Sequence, residues 1–273
     1  MTIDEAIRML RNDPGSAALV RDAYLGRDVV DSIERFCASA EFAAVQALLG
    51  NRIAGATILD LGAGIGMASV AFRRAGAARV IAIEPDDSDE VGRGAMARGG
   101  VEAEVVSAFG EELPIPGGSI DIVYARQVLH HAQDLEAILR EIARILRPGG
   151  AFVACREHVV SNDEELRAFL AAHPVNRLAG GENAFPLDRY RSAILGSGLR
   201  LEAQLGPWDS VINTFPLIGS DAELRAMAQD RLVRRFGRAG ALLARIPGVQ
   251  AMVRRRIQPM VPGRVYTFLA VKS

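Results

Sequence analysis

The sequence predicts an α/β architecture, an open and mostly parallel sheet wound on both faces by helices. Two observations carry it. Short runs rich in valine and isoleucine recur at 57–61, 79–84, 103–106, 120–125 and 151–156, and segments with helical spacing fall between them at 67–75, 88–97 and 135–146. Each helical segment closes on residues that tolerate a left-handed backbone or cannot continue a helix: Gly76, the pair Gly99-Gly100, and Arg147-Pro148-Gly149-Gly150.

The remaining elements follow in order. Residues 1–50 read as helical, and Ile33, Phe36, Cys37, Ala40, Ala44 and Leu48 place one helix over 29–49 that Gly50 stops. Beyond 156 the patterns predict helices at 163–172 and 187–195, a strand at 199–205 and an arginine-rich helical stretch from 221 to about 257. A last strand at 264–271 must join the existing sheet, because alone it has nothing to pair with. The expected organisation is a helical N-terminal cap over 1–50 and a sheet domain over 51–273, with a roof segment at 158–186 and a basic helical insertion at 214–263.

With 273 residues, 49% apolar and 24% charged, the chain reads as one large soluble domain with appendages, which excludes disorder and fibre. No run approaches the ~20 apolar residues of a bilayer span. The first ten residues carry acids where a signal peptide carries lysines, so the expected location is cytoplasmic. Cys37 and Cys155, 118 positions apart, form neither a disulfide framework nor the paired spacing of a zinc site, and both read as small buried apolar residues. The formal charge of −1 gives no global reason to expect nucleic acid. That sum hides a split: 221–264 holds ten arginines against three acids, a local +7, which leaves −8 on the rest.

The strongest chemical signal is Ile58-Leu-Asp-Leu-Gly-Ala-Gly-Ile-Gly66, an apolar strand that runs into three glycines and then a helix. Glycines let the backbone turn tightly and let a ligand lie against the main chain at a helix N-terminus. A nucleotide-type ligand is implied, beyond the carboxyl ends of the strands. The dinucleotide pattern G-x-G-x-x-G fails, since its third glycine would fall at Met67, and that disfavours an NAD-dependent oxidoreductase; a phosphate loop ending in Gly-Lys-Ser/Thr is absent too. Glu84, 18 residues after Gly66 at the end of the second strand, is placed to take both hydroxyls of a ribose.

Five ordered segments resemble the class I S-adenosylmethionine-dependent methyltransferases. They are Asp60-Leu-Gly-Ala-Gly-Ile-Gly66, Glu84, Glu112-Leu-Pro-Ile-Pro116 before Ser119-Ile-Asp-Ile-Val123, Val128-Leu-His-His131, and Leu146-Arg-Pro-Gly-Gly150. The resemblance covers roughly 52–156 and implies a Rossmann-like doubly wound, seven-stranded sheet with an antiparallel last strand, and S-adenosyl-L-methionine as cofactor. It implies that the loop of Gly62, Ala63, Gly64 and Gly66 passes under the methionine part. Asp60 would help hold the ammonium directly or through water, and the main-chain carbonyl near Ala125-Arg126 would meet the same group. Glu84 would take the ribose and Pro85 would pack on the adenine. The family's adenine-binding Asp has its place here at Phe109, which cannot accept a hydrogen bond. That contact then rests on backbone around Phe109-Gly110 or on another acid such as Glu111.

The sulfonium already makes its methyl group electrophilic, so the protein's task is to align a nucleophile with the S–CH₃ bond. For a hydroxyl nucleophile a general base adds about 10²–10⁴-fold, and histidine is the natural one. His130 and His131 follow the fourth strand and His158 follows the fifth, so all three are candidate catalytic groups on the rim that carries Gly62 and Glu84. For the first two the competing reading is a helix-start and loop-stabilising pair. His173, before Pro174, reads as a helix end. No metal is expected: Cys155 and His158 stand at an odd offset on a strand, which sends their side chains to opposite faces.

Asn176, Arg177, Glu182 and Asn183 make the roof polar, fit to bind a substrate or to serve as a plain connector, and Trp208 to Asn213 is a second candidate pocket wall. Three readings compete for the arginine stretch: a solvated helical face, a surface attracted to an anionic or lipid-linked acceptor at a membrane, and RNA contact, which few interleaved aromatics favour. The expected activity is methyl transfer to a small-molecule or glycan-like acceptor at oxygen. The alternatives are a lipid-linked or anionic acceptor at a membrane surface, and a non-catalytic cofactor-binding module.

Overall fold

The computed structural model describes residues 1–246, 248–256 and 261–273. Helices α1 (Ile3–Asn12), α2 (Ala17–Asp22), α3 (Val29–Cys37) and α4 (Ala40–Leu49) precede β1 (Thr57–Leu61). Then come α5 (Met67–Arg74), β2 (Arg79–Ile83), α6 (Arg93–Arg98), β3 (Glu104–Val106), β4 (Ile120–Arg126), α7 (Leu135–Ile145) and β5 (Leu146–Val160). The rest is α8 (Asp163–Ala172), α9 (Pro174–Ala179), β6 (Phe185–Pro186), α10 (Leu187–Gly196), β7 (Leu199–Leu205), α11 (Val211–Thr214), α12 (Asp221–Leu243), α13 (Val249–Arg256) and β8 (Arg264–Lys272).

Seven strands lie in the order β3-β2-β1-β4-β5-β8-β7, and the two-residue β6 pairs β5 off that path. β1 to β5 pair in parallel, while β8 runs antiparallel between β5 and β7. The sheet is therefore Rossmann-like, mostly parallel and closed by an antiparallel last strand. Strand order reverses between β1 and β4, the switch point at which an α/β sheet opens a crevice beyond its carboxyl ends.

Alternation along β1 builds two cores. Leu59 and Leu61 join the face covered by Leu139 and Ile142 of α7 and Ile194 of α10. Ile58 points the other way, to Phe42 and Val45 of α4 and Phe72 of α5. The N-terminal helices are thus part of the sheet's second core. A chain of rings, Tyr24–Phe36–Phe42–Phe72–Tyr124, with centroids 5.0 to 5.5 Å apart, runs from the cap into β4. Beside it Arg126 is buried and paired with Glu41 of α4 at 2.6 and 3.1 Å.

Five expectations change. The helix expected over 29–49 is two helices, because the Ser39 hydroxyl donates to the Phe36 carbonyl at 2.7 Å and accepts from Phe42 N–H at 3.0 Å, which caps a new start. The helix expected from 88 begins at Arg93, since the Ser88 hydroxyl takes the amides of Glu90 and Val91 into a turn. The arginine stretch is kinked at Gly237 (φ 56°) and divided into α12 and α13; its expected end, Ile257, lies outside the described residues. The roof carries α9, capped by the His173 ring and opened by Pro174.

The fifth change is in β5. Its register against β8 shifts between Ala154 and Glu157, and Arg156 adopts φ 60°, a bulge within the strand. Ala154 and Val159 consequently share one core although their separation is odd. This corrects the parity argument that set Cys155 and His158 on opposite faces. What separates them instead is location: Cys155 is sealed in the second core, and burial pushes its thiol up, while the His158 ring lies against His130 and Phe169.

Candidate active site

The turn after β1 is forced by contact as well as by dihedral angle. Gly62 sits at φ +64°, and a Cβ there would stand 2.6 Å from a methyl of Val128. Gly66 sits at φ +80°, and its Cβ would meet Met96 and Val101 at 2.9 Å. The first contact presses the turn after β4 onto the glycine loop, so the two sides of the switch point touch.

Glu84, buried at the end of β2, accepts from the Gly64 amide through one carboxylate oxygen at 2.7 Å and from the Asp86 amide through the other at 2.9 Å. Each oxygen keeps lone-pair capacity for a ribose hydroxyl. Ala63 is buried and hydrogen-bonded to the Ile83 carbonyl, and the carbonyls of Glu84 and Pro85 accept from Arg93. Phe109 is 65% exposed, free to cover a ring but unable to accept from one. Gly110 leaves no room for a Cβ against Ile138, so backbone there stays close to the crevice floor. Glu111 is partly committed, with Oε1 accepting from Gln133 N–H at 3.0 Å. Ala125 is buried in the core, and the Arg126 side chain turns away to Glu41.

Asp60 is also buried, and its carboxylate accepts from the Ser69 hydroxyl of α5 at 2.7 Å. Burial pushes it up to about 7 from 3.8. Between these values the folded chain keeps a proton that the unfolded chain has lost. The stabilisation is full below about 4 and disappears as pH rises through about 7. Asp60→Asn should flatten the fall in melting temperature across that window; an unchanged pH profile would show that Asp60 does not titrate there.

All four histidines converge. His130 and His131 occupy the turn after β4, and the rings of His130 and His131 lie 4.2 Å apart, those of His130 and His158 4.8 Å, and those of His158 and His173 6.0 Å. Two acids enter the group. Glu157, which the sequence reading did not single out, is fully buried beyond the β5 bulge and accepts from the amides of Val128 and His130 at 3.1 Å and from His130 Nδ1 at 2.9 Å. Glu182 descends from the roof, 3.6 Å from His130 Nε2, 3.8 Å from His131 Nε2 and 3.7 Å from His173 Nδ1.

The charges differ around this group. Burial opposes a proton on His130, but Glu157 and Glu182 outweigh it and hold the ring up at about 9. Burial and the charge on His130 push His131 down and His158 down to about 4. His131 Nδ1 lies 3.1 Å from the Gly181 carbonyl and His158 Nδ1 lies 2.7 Å from the Gly263 carbonyl. A carbonyl only accepts, so in both rings Nδ1 carries the hydrogen and Nε2 the lone pair. At neutral pH the group therefore holds one imidazolium, His130, and two neutral acceptors.

The roof and cap complete the crevice. Asn176 is spent inside the roof, bonding the Leu170 carbonyl and the Glu182 amide, while Arg177 is exposed. Asn213 is buried and bonded to Leu205, Gly206 and Thr267, a joint between strands and not a pocket wall. α1 packs on α9, and its Asp4 and Arg11 bond Ser88 and Glu90 in the turn after Glu84.

Residues 59–154 match the family described as methyltransferase domain. Over these residues the chain carries a methyltransferase domain, similar to the class I S-adenosylmethionine-dependent methyltransferases. The chain is 30% identical over 154 residues to 27-O-demethylrifamycin SV methyltransferase of Amycolatopsis mediterranei, covering 55% of this chain and 56% of that one. It is 38% identical over 103 residues to demethylmenaquinone methyltransferase of Clavibacter sepedonicus, covering 38% and 42%. The chain thus spans about half, or less, of the length of these curated relatives. A solved S-adenosylmethionine-dependent methyltransferase from Mesorhizobium loti shares the fold, with TM-score 0.57 and 18% identity over 87% of this chain and all of that one. S-adenosylmethionine is the family's cofactor, and the glycine loop with Glu84 offers it a shallow backbone floor and two carboxylate oxygens.

Proposed function

We propose that the protein transfers a methyl group from S-adenosylmethionine to a hydroxyl of a small or glycan-like acceptor, with His131 as the general base. The observation that carries this reading is the neutral His131 ring, 45% exposed on the rim, with its Nε2 lone pair beside Glu182. A hydroxyl is a poor nucleophile until its proton leaves, so a poised neutral base fits oxygen as the accepting atom. The Glu182 carboxylate then stabilises the imidazolium that forms, while His130, clamped by Glu157, is a positioning residue that holds Glu182 in place. The name of the Amycolatopsis relative likewise refers to an O-demethylated substrate.

Cofactor binding in this reading rests on Asp60, Gly62, Ala63, Gly64, Gly66, Glu84, Pro85, the backbone of Phe109-Gly110 and the carbonyls of Ala125-Arg126. Glu84→Ala removes two charge-assisted hydrogen bonds of about 1.5 kcal/mol each, so affinity for S-adenosylmethionine should fall roughly 10²-fold by calorimetry. Wild-type affinity in that variant would remove Glu84 from the site. The acceptor class is tested with labelled methyl donor and a panel of sugars, phenols and amines. Label on hydroxylated acceptors is expected, and label confined to amines would overturn the oxygen assignment.

A second reading has its own observation. Val233, Phe236, Leu242, Ile246 and Met252, on α12, α13 and their connection, are exposed among the arginines. Apolar side chains interleaved with cations suit an anionic lipid surface, where a lipid-linked acceptor would reside. Among the described residues no helix is long and apolar enough to cross a membrane, so such binding would be peripheral. Sedimentation with vesicles containing phosphatidylserine, and none with neutral vesicles, would support it; equal behaviour with both would remove it.

A further inference from the structure

We infer that His130, His131 and Glu182 form a binding site for a divalent transition metal of the zinc class. One ligand atom from each of the two histidines and a carboxylate oxygen of Glu182 all lie within 4.8 Å of one another. The carboxylate oxygen stands 3.6 and 3.8 Å from the two Nε2 nitrogens, too far for hydrogen bonds. Two ligands at 2.0–2.1 Å from a tetrahedral ion are separated by about 3.4 Å, so Glu182 and the two rings must draw together to close the set. The movement is available, because Glu182 follows Gly180 and Gly181, whose surroundings are open, and the half-exposed His131 ring can turn on a backbone that Glu157 braces.

Tautomer geometry is the second, independent observation. His130 Nδ1 is hydrogen-bonded to the Glu157 carboxylate and His131 Nδ1 to the Gly181 carbonyl. In the neutral His131 ring Nε2 therefore presents a lone pair, while the His130 imidazolium would give up its Nε2 proton to an entering metal, and both nitrogens face a carboxylate that only accepts. With that proton displaced, three acceptors meet with no hydrogen between them, an arrangement that a divalent cation satisfies. The outer bonds are those that metal-bound histidines make, a carboxylate behind one ring and a backbone carbonyl behind the other. Two histidines and one glutamate with a fourth position open form a zinc donor set of the catalytic type. His173 is not counted as a ligand, because its Nδ1 accepts from the Asn176 amide that it caps.

An ion here ties the roof to the turn after β4. It also takes the lone pair that His131 would offer as a base, so metal occupancy and proton transfer by His131 exclude each other. The test needs neither methyl donor nor acceptor, so its outcome is independent of the proposed activity. Zn²⁺ alone is titrated calorimetrically into the full chain, and Co²⁺ is added separately to read the visible absorption of a four-coordinate site. One Zn²⁺ per chain is expected, with at least about 100-fold weaker binding in Glu182→Gln and in His131→Ala and a loss of about 10–100-fold in Glu157→Gln, the partner behind His130. His173→Ala should bind as wild type. Circular dichroism and thermal melting of the same samples show which variants are folded; if His131→Ala is not, Glu182→Gln in the roof loop decides. Absence of Zn²⁺ binding by the wild-type chain, or wild-type binding by a folded Glu182→Gln, overturns the proposal.

Discussion

His131→Ala should slow methyl transfer by about 10²–10⁴-fold while leaving affinity for S-adenosylmethionine within a factor of two or so. The size follows from the role. The ring carries a lone pair on Nε2, its Nδ1–H is held by the Gly181 carbonyl, and burial with the neighbouring His130 charge keeps it neutral. Removing it takes away the only half-exposed neutral imidazole in the turn that touches the glycine loop. The sign with pH is equally fixed. His131 must be unprotonated to act, and its value lies below 6.5, so turnover should rise as pH increases through that lowered value and then level. Rates in His131→Ala equal to wild type, or loss of cofactor binding in step with rate, would remove the assignment; His158→Ala is the parallel test, since His158 is also neutral.

Glu157→Ala should cost about 3–5 kcal/mol of folding stability, the range for removing one partner of a buried charge pair. Glu157 is 0% exposed and is acceptor to the amides of Val128 and His130 and to the His130 ring. Its loss leaves three donors without a partner in the core and a positive ring that only Glu182 can balance. Without Glu157 the His130 value falls, so more of the chain carries a neutral His130 at pH 7. Chemical denaturation measures the stability, and the imidazole proton resonances of His130 follow its titration. A change below about 1 kcal/mol, or an unmoved His130, would show that the two groups are not coupled.

These two residues mark how far the sequence could be read. The glycine loop, Glu84 and the paired histidines stand in local order, each beside the strand that places it, so pattern alone located them. Strand positions were legible for the same reason, since Val and Ile runs bounded by glycine have few alternatives. Glu157 was not legible, because two residues after Cys155 in an unbroken strand would have returned to the same core. Only the bulge at Arg156 swings it to the histidines, and a positive φ at an arginine leaves no sequence mark. Glu182 and His173 were visible as polar roof residues, but their meeting with His130 and His131 depends on folding back 50 residues of chain. The Arg126–Glu41 pair was hidden likewise: an arginine at a strand end reads as solvated until α4 covers it.

The split of charge takes structural form too. The +7 stretch is a pair of helices whose exposed apolar residues sit among arginines, outside the cofactor crevice residues. Whatever it binds, the proposed methyl-donor site at the β1/β4 switch point draws no residue from it.

Calorimetric titration of the intact chain with S-adenosylmethionine, and with its demethylated product, tests the central claim most directly. Saturable binding of both at one common site, weakened roughly 10²-fold by Glu84→Ala, is the predicted result. Failure of both to bind, or saturable binding of NAD in their place, would contradict the account.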